Sequence, residues 1–408
     1  MRFNTKILHT PYPKQDAYNS LRMPVYDTAA FDFPESEEIA MAFDGRKPAH
    51  VYSRSTNPTI EYYESLIKSI SGAFHVISLA SGMAAIQNVL FNVTSAGDNI
   101  LTSKHLFGNT ISLFEKTCKQ FAIEFRYVDM NKPIEFKEKI DVKTRAIFLE
   151  TVTNPQLEIA DIESIANICK QRNILLVVDT TLTPPCVFEA GKWGVNIEIC
   201  SSTKFFSGGA TSVGGLIIDY GNFDWKVIPA LEDYVKFDKM AFSARLRKEV
   251  YRNLGACTSP HNAWLQILGL ETLDLRFKKA AGNCKQLAES LQSNPKILHV
   301  NYPGLENSKY YANSQKFFGN LPVSIFTIEL ESIPVCFQFL DQLKIIRRAT
   351  NMCDNKTLAI HPYSTIFAEF SDEQKNSLDV NPHIIRISVG IEDIEDLFED
   401  IEQSLNKI

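Results

Sequence analysis

The chain has 408 residues, 45% of them apolar, and a formal net charge of −6 with both signs interspersed along its length. This length accommodates one large domain and a smaller one, and the absence of a basic stripe argues against a nucleic-acid partner. Its apolar runs are too short for a bilayer and its start lacks the apolar core of a signal peptide, so we expect a cytoplasmic protein with no membrane partner.

The first part of the chain, residues 1–57, is turn-rich and extended, and we interpret it as an arm. A regular pattern then begins with the helical stretch "PTIEYYESLIKSI", the apolar strand "FHVISLA" and a helix that opens at "SGMAAI". Further apolar strands follow in "DNILTS", "RAIFLE", "ILLVVD", "IEICSS" and "GGLIID". Apolar strands that alternate with helices predict an α/β fold with a mostly parallel sheet flanked by helices.

After residue 258 the pattern changes. A long helical stretch from about Asn262 leads to the strands "VSIFTIEL", "LKIIRRAT" and "IIRISV" and to a final helix from Glu392. Fewer strands with mixed spacing predict a smaller α+β C-terminal domain. We therefore expect an arm over 1–57, a large domain over 58–258 and a small domain over 259–408.

The cysteines and histidines of the chain do not cluster. The eight cysteines form no CxxC pair and have no metal-binding spacing with the eight histidines. We expect neither a disulfide framework nor a metal site. We interpret His105, His361 and His383 as structural residues.

Polar residues that follow the predicted strands are candidates for a ligand site. In open α/β sheets ligands bind beyond the carboxyl ends of the strands, where Ser81, Glu150, Asp179 and Ser201 fall. The stretch "SSTKFFSGGATSVGGLIID" adds Lys204 at the same edge. A desolvated lysine loses its proton readily and attacks carbonyl groups, although a surface lysine would give the same local pattern.

Two features upstream of Lys204 favour cofactor chemistry. Asp179 is placed to keep a pyridine nitrogen protonated, although an aspartate at a strand end often acts only as a cap. The turn "SGM" opens a helix, where backbone N–H groups bind phosphate in many proteins. A phosphate turn, a strand-end aspartate and a later lysine occur in this order.

This order, with "STK" before a glycine-rich turn, resembles the cysteine and methionine metabolism family of pyridoxal phosphate enzymes over nearly the whole chain. The resemblance implies fold-type I architecture, pyridoxal 5'-phosphate as cofactor and Lys204 as the catalytic lysine that bonds to it. Segments "ETVTNP" and "IIRISVGIED" resemble those that contact the cofactor ring and the substrate α-carboxylate. The implied cofactor-binding residues are Tyr52, Arg54, Ser81, Gly82, Met83, Phe107, Asn154, Asp179, Ser201, Thr203 and Lys204, and the implied substrate-binding residues are Arg386 and Asn351.

The segment "YSRSTNPT" resembles the one whose tyrosine and arginine bind the cofactor phosphate of a neighbouring subunit. Tyr52 and Arg54 occupy those positions. The resemblance thus implies a homo-oligomer, the family's tetramer, with an active site shared between subunits.

Phe107 bears on the reaction. In "HLFGNTISLF" it stands where the family has a tyrosine, and phenylalanine stacks on a ring but is no general acid. Acetate leaves as an anion, whereas a basic sulfur leaving group is helped by a proton. Together with "TSVGGLIIDYGNFDW" and "NMCDNKTLAIHP", which resemble O-acetylhomoserine sulfhydrylases, this favours γ-replacement on an acylated homoserine by sulfide or methanethiol, forming homocysteine or methionine.

Alternatives remain. A methionine γ-lyase, or an elimination of the cystathionine synthase or lyase type, would release a thiol, ammonia and an α-keto acid, although Asn109 replaces the cysteine typical of methionine γ-lyases. A non-catalytic relative and an aminotransferase are less favoured. Gly209 stands where many relatives have histidine, and Cys353 where glycine is common. The sequence does not choose between an acetyl and a succinyl ester.

Overall fold

The computed structural model of the protein describes residues 1–12 and 18–408. Within them a seven-stranded sheet has the spatial order β1, β7, β6, β5, β4, β2, β3. Its strands are β1 (His75–Leu79), β2 (Asn99–Ser103), β3 (Glu124–Val128), β4 (Thr144–Glu150), β5 (Leu175–Asp179), β6 (Ile197–Cys200) and β7 (Gly215–Asp219). β7 runs antiparallel to both neighbours and all other pairs are parallel. The prediction of a mostly parallel sheet is confirmed.

The α-helices of the described residues alternate with these strands and continue beyond them. In chain order they are α1 (Phe3–His9), α2 (Ser36–Phe43), α3 (Pro58–Ser71), α4 (Gly82–Val93), α5 (Gly108–Ser112), α6 (Pro133–Lys139), α7 (Ile162–Arg172), α8 (Ala241–Arg245), α9 (Tyr251–Leu254), α10 (Pro260–Leu270), α11 (Leu273–Leu291), α12 (Tyr311–Phe318), α13 (Ile333–Gln342), α14 (Asp372–Ser377) and α15 (Ile394–Leu405). The start of α3 shows two sequence signals of a helix N-terminus. Asn57 caps the helix by accepting the Thr59 N–H, and Pro58 occupies the first helical position.

Alternate residues of the central strands enter two apolar cores, one on each face of the large sheet. In β4, Phe148 lies in one core and Leu149 in the other, and Val177 and Val178 of β5 divide in the same way. Because both faces are covered, these strands are apolar throughout. No helix among the described residues is long and apolar enough to cross a membrane.

A second, four-stranded antiparallel sheet has the order β10, β11, β9, β8. Its strands are β8 (His299–Asn301), β9 (Ile325–Glu329), β10 (Leu358–Ile360) and β11 (Ile384–Ser388). The predicted strand "LKIIRRAT" is wrong, since within it only Arg347 pairs, in an isolated parallel bridge with Leu358 of β10. The Asp400 carboxylate accepts the backbone N–H groups of Lys344, Ile345 and Ile346 at 2.8 to 2.9 Å, so these groups are not available to a strand ladder.

His105 joins the loop after β2 to distant parts of the chain. Its Nδ1 lies 2.6 Å from Glu158 Oε2 and its Nε2 lies 2.9 Å from Asp379 Oδ2, while the Tyr310 hydroxyl donates to Glu158 Oε1 at 2.6 Å. Burial by itself would lower the pKa of His105, but the two carboxylates outweigh it and raise the pKa. The imidazole therefore bridges two carboxylates just before Phe107, and both carboxylates favour its protonated form.

We expect the His105→Gln substitution to destabilise the fold in a pH-dependent way. A raised folded-state pKa stabilises the protein fully below the unfolded value of about 6.5, and this contribution is lost as pH rises through the folded pKa. The loss should be about 2 kcal/mol near pH 6 and smaller near pH 9, since a hydrogen bond to a charged group contributes on this order. Urea unfolding at both pH values measures it. The exposed His299 offers a matched His299→Gln control, and an equal loss at both pH values would contradict the charged bridge.

Candidate active site

A cavity of about 610 Å³ lies at the carboxyl ends of β4, β5 and β6. Its wall includes residues of the large sheet, of the loop after β9 and α13, and of β11. The sequence-predicted residues that line it are Ser81, Gly82, Met83, Phe107, Asn154, Asp179, Ser201, Thr203, Lys204, Asn351 and Arg386. Only Tyr52 and Arg54 of the predicted set are not part of this wall.

Two carboxylates stand side by side at the strand ends. Glu150 ends β4 and Asp179 ends β5, and the two residues are paired in the parallel register. Burial, reinforced by the neighbouring Asp179, raises the pKa of Glu150 well above its usual range, and burial raises the pKa of Asp179. The Glu150 carboxylate accepts the Phe107 N–H at 2.7 Å, so it also fixes the backbone that carries the Phe107 ring.

The first turn of α4 meets the end of β6 at close range. Ser81 caps the helix by accepting the Ala84 N–H at 3.1 Å. A Cβ atom on Gly82 would lie 2.8 Å from the Ser201 Cβ atom, so glycine permits this approach. The turn therefore brings helix N–H groups, which lack partners within the helix, beside the Ser201 hydroxyl.

Lys204 lies in the turn after β6, at the same cavity. Its Nζ donates to Asn351 Oδ1 at 2.8 Å, which brings a predicted substrate-binding residue to the lysine. Burial lowers the pKa of Lys204, since a charged ammonium is poorly solvated there. The neutral, nucleophilic amine therefore forms at a lower pH than in a surface lysine.

Arg386 of β11 supplies a second cation and is 2% exposed. Its Nη1 donates to Asn154 Oδ1 at 3.2 Å, and its Nη2 donates to the backbone oxygens of Thr350 and Asn351 at 3.3 and 3.2 Å. Its Nε is buried without a partner, and no carboxylate of the described residues forms an ion pair with it. Burial lowers its pKa to about 10, so the guanidinium stays charged at neutral pH and suits an anionic ligand.

Tyr52 and Arg54 lie at an exposed surface. The Arg54 guanidinium lies 5.6 Å from the centre of the Tyr52 ring and donates to the Arg252 backbone oxygen at 2.7 Å. Neither side chain lines the cavity of its own chain. Their predicted contact with a neighbouring subunit stays a prediction.

The structure adds cavity residues that the sequence did not indicate as site residues. They include Thr110, Thr181, Val213, Thr350, Met352, Thr365 and Ile366. Thr365 and Ile366 follow β10, far from the large sheet in sequence, and no periodicity marks them. The contact itself depends on Gly108, where an added Cβ atom would lie 2.5 Å from the Ile366 backbone oxygen.

Two of the departures from the family pattern, at Gly209 and Cys353, have visible backbone consequences. Gly209 adopts φ +110°, and a Cβ atom there would lie 2.5 Å from Asn355 Nδ2, so a histidine does not fit this turn as it stands. Cys353 adopts φ 55°, a left-handed conformation in which glycine costs less. Its backbone N–H donates to the Ser388 hydroxyl at 2.8 Å, which ties this strained turn to β11.

Residues 4–406 match the family described as Cys/Met metabolism PLP-dependent enzyme. The chain is 33% identical over 426 residues to O-acetyl-L-homoserine sulfhydrylase of Leptospira meyeri, with 99% of this chain and 96% of that protein covered. The alignment therefore spans the whole site.

Solved structures agree in fold. A candidate O-acetylhomoserine (thiol)-lyase of Campylobacter jejuni, which contains a pyridoxyl-lysine phosphate, has a TM-score of 0.93 and 32% identity, with 100% of both chains covered. An O-acetylhomoserine sulfhydrylase of Wolinella succinogenes is 45% identical, with a TM-score of 0.77 over 86% of this chain and 98% of the other. The chain therefore belongs to the Cys/Met metabolism family of enzymes that depend on pyridoxal phosphate.

Proposed function

We propose that this enzyme replaces the acetate of O-acetyl-L-homoserine by sulfide or methanethiol, which forms homocysteine or methionine. The observation that carries the proposal is Phe107 in the cavity wall, in place of a tyrosine. The names of the relatives in Leptospira meyeri and Wolinella succinogenes support the same reaction.

The chemistry of the residues that line the cavity fits pyridoxal phosphate. A helix N-terminus beside the Ser201 hydroxyl suits a phosphate, and a carboxylate at the end of β5 suits a protonated pyridine nitrogen. Lys204 supplies the amine that bonds to the cofactor. We assign the phosphate to Ser81, Gly82, Met83, Ser201 and Thr203, the ring hydroxyl to Asn154, the ring face to Phe107 and the ring nitrogen to Asp179.

When bound, pyridoxal phosphate supplies an electron sink for the carbon from which a proton is removed. The residues of the chain then have separate roles. Arg386 binds the substrate α-carboxylate, since three of its five N–H donors are held by Asn154, Thr350 and Asn351, and the Nε N–H and one Nη1 N–H remain for a ligand. The Lys204 amine, with its pKa lowered by burial, removes the α proton and then a β proton.

The wall of the cavity favours an ester leaving group. Among the described residues that line it there is no tyrosine, histidine or cysteine that could protonate a departing sulfur. Acetate leaves the γ carbon as a stable anion and needs no such acid. The sulfur nucleophile then bonds to the γ carbon as a thiolate, and the lysine returns one proton to the β carbon and one to the α carbon, which balances the two removed.

We further propose a homotetramer whose arm, residues 1–57, completes the site of a neighbouring subunit. Two observations support this: Tyr52 and Arg54 lie outside the cavity of their own chain, and the arm exposes apolar side chains such as Leu21 and Phe43. The domain boundaries at 58–258 and 259–408 and the cytoplasmic location stay predictions.

The reaction is tested with two parallel incubations of the holoenzyme. With O-acetyl-L-homoserine and sulfide we expect homocysteine, and with L-methionine alone we expect little α-keto acid, because Phe107 has no hydroxyl to protonate the departing thiolate. Rapid release of keto acid from methionine would identify a lyase and overturn the argument from Phe107.

The Phe107→Tyr variant sharpens this test. A hydroxyl placed there should raise keto acid release from methionine by about 100-fold, the lower range for a general acid, and leave homocysteine formation largely unchanged. Phe107→Leu removes the ring without adding an acid, and it should not raise keto acid release.

Shared sites predict complementation between inactive variants. Lys204→Ala and Arg54→Ala should each be inactive, and coexpression should restore about a quarter of wild-type activity, since half of randomly mixed pairs contain one intact site of two. Coexpression of Lys204→Ala with Asp179→Asn is the matched control, because both residues line the cavity of the same chain and no intact site can form. Activity in both mixtures, or in neither, would argue against a site shared through Arg54.

A further inference from the structure

A buried carboxylate lies behind the contact between Lys204 and Asn351. Asn351 Oδ1 accepts from Lys204 Nζ at 2.8 Å, and Asn351 Nδ2 donates to Asp354 Oδ2 at 3.0 Å. Asp354 is 8% exposed and does not line the cavity. Its hydrogen-bonded connection to the lysine therefore runs through the Asn351 amide.

The charge of Asp354 determines which way the Asn351 amide faces. An ionised carboxylate only accepts hydrogen bonds, so it requires the NH₂ end of the amide. A flipped amide would place Oδ1 against the carboxylate and Nδ2 against the Lys204 ammonium, which breaks both hydrogen bonds. The oxygen of Asn351 is thus kept on the side of the lysine.

The turn that carries these residues is anchored on both sides. Asp354 Oδ1 accepts the Lys356 backbone N–H at 3.1 Å, and the Cys353 N–H donates to the Ser388 hydroxyl of β11 at 2.8 Å. The backbone oxygen of Asn351 accepts from Arg386 at 3.2 Å. One turn therefore holds both the lysine and the guanidinium of the site.

We propose that Asp354 is a positioning residue for Lys204, which acts by fixing the Asn351 amide so that its oxygen always accepts from Nζ. One N–H of the amine is then committed to Asn351, and the lone pair of the neutral amine remains for the cofactor carbonyl or a substrate proton. This deepens the proposed function and rests only on Lys204 being the lysine that bonds to the cofactor. It does not depend on which ester or thiol reacts.

The charged and titratable groups around Lys204 set the expected direction of the effect. Arg386 comes from β11, Cys353 and Asp354 from the turn, and Glu150 and Asp179 line the same cavity. Burial lowers the pKa of Lys204 and Asp354 partly opposes this. Loss of the Asp354 charge should therefore lower the pKa of the lysine further.

The test follows covalent attachment of pyridoxal phosphate to cofactor-free protein as a function of pH. In this step Nζ bonds to the aldehyde carbon and the aldehyde oxygen leaves as water, and the change in visible absorbance gives the rate. For Asp354→Asn we expect the midpoint of the pH profile to move to lower pH. We also expect the limiting rate at high pH to fall about tenfold, as for one lost hydrogen bond to a charged group.

A purely structural role would lower the rate without moving the midpoint, and an unmoved midpoint contradicts the proposal. Asp141→Asn serves as control, because it removes the carboxylate that accepts from Asn99 Nδ2 at 2.9 Å outside the cavity. Its midpoint and limiting rate should match those of the wild type.

A double variant tests the route through Asn351. In the Asn351→Leu background, Asp354→Asn should change the limiting rate no further, whereas additive losses would show that Asp354 acts by another route. If Asp354→Asn does not fold, Asn351→Leu alone must lower the limiting rate, and an unchanged rate overturns the proposal. Since no amino-acid substrate is present, this result is separable from failure of the proposed reaction.

Discussion

Parallel pairing of β4, β5 and β6 is the constraint on which the site depends. It brings three strand ends to one edge of the large sheet and places Glu150 beside Asp179 in register. The turn after β6 then delivers Lys204 to the same edge. The hydrogen bonds between the paired strands hold the two carboxylates together, and the lysine follows the end of the third strand closely.

The second sheet completes the cavity with positive charge. Arg386 on β11 and the turn that contains Asn351 reach across to the lysine and to Asn154. Burial disfavours the charged form of each of these ionisable groups. It raises the pKa of both carboxylates and lowers the pKa of Lys204 and Arg386. The cofactor phosphate and the substrate carboxylate bring negative charge, and the protonated ring nitrogen brings positive charge. These charges complement the cations and the carboxylates of the cavity.

Much of this arrangement could be predicted from the sequence, because buried parallel strands are apolar on both faces and their ends are easy to locate. β3 was missed since it is an edge strand whose Glu124 is exposed, which removes the uniform apolar signal. The wrong strand at "LKIIRRAT" has another cause, since Asp400 in the distant α15 accepts the N–H groups of Lys344, Ile345 and Ile346. The hydrogen bonds that connect Asp354 to Lys204 through Asn351, and His105 to its two carboxylates, could not be predicted from the sequence either, because they connect loops that are remote in sequence.

The most direct test of the central claim is to locate the cofactor in the chain. The holoenzyme is treated with borohydride, which makes the bond between lysine and pyridoxal phosphate permanent, and the digested protein is mapped by mass spectrometry. We predict a single modified peptide that contains Lys204. Modification at a different lysine, with Lys204 unlabelled, would contradict the assignment of this cavity as the active site.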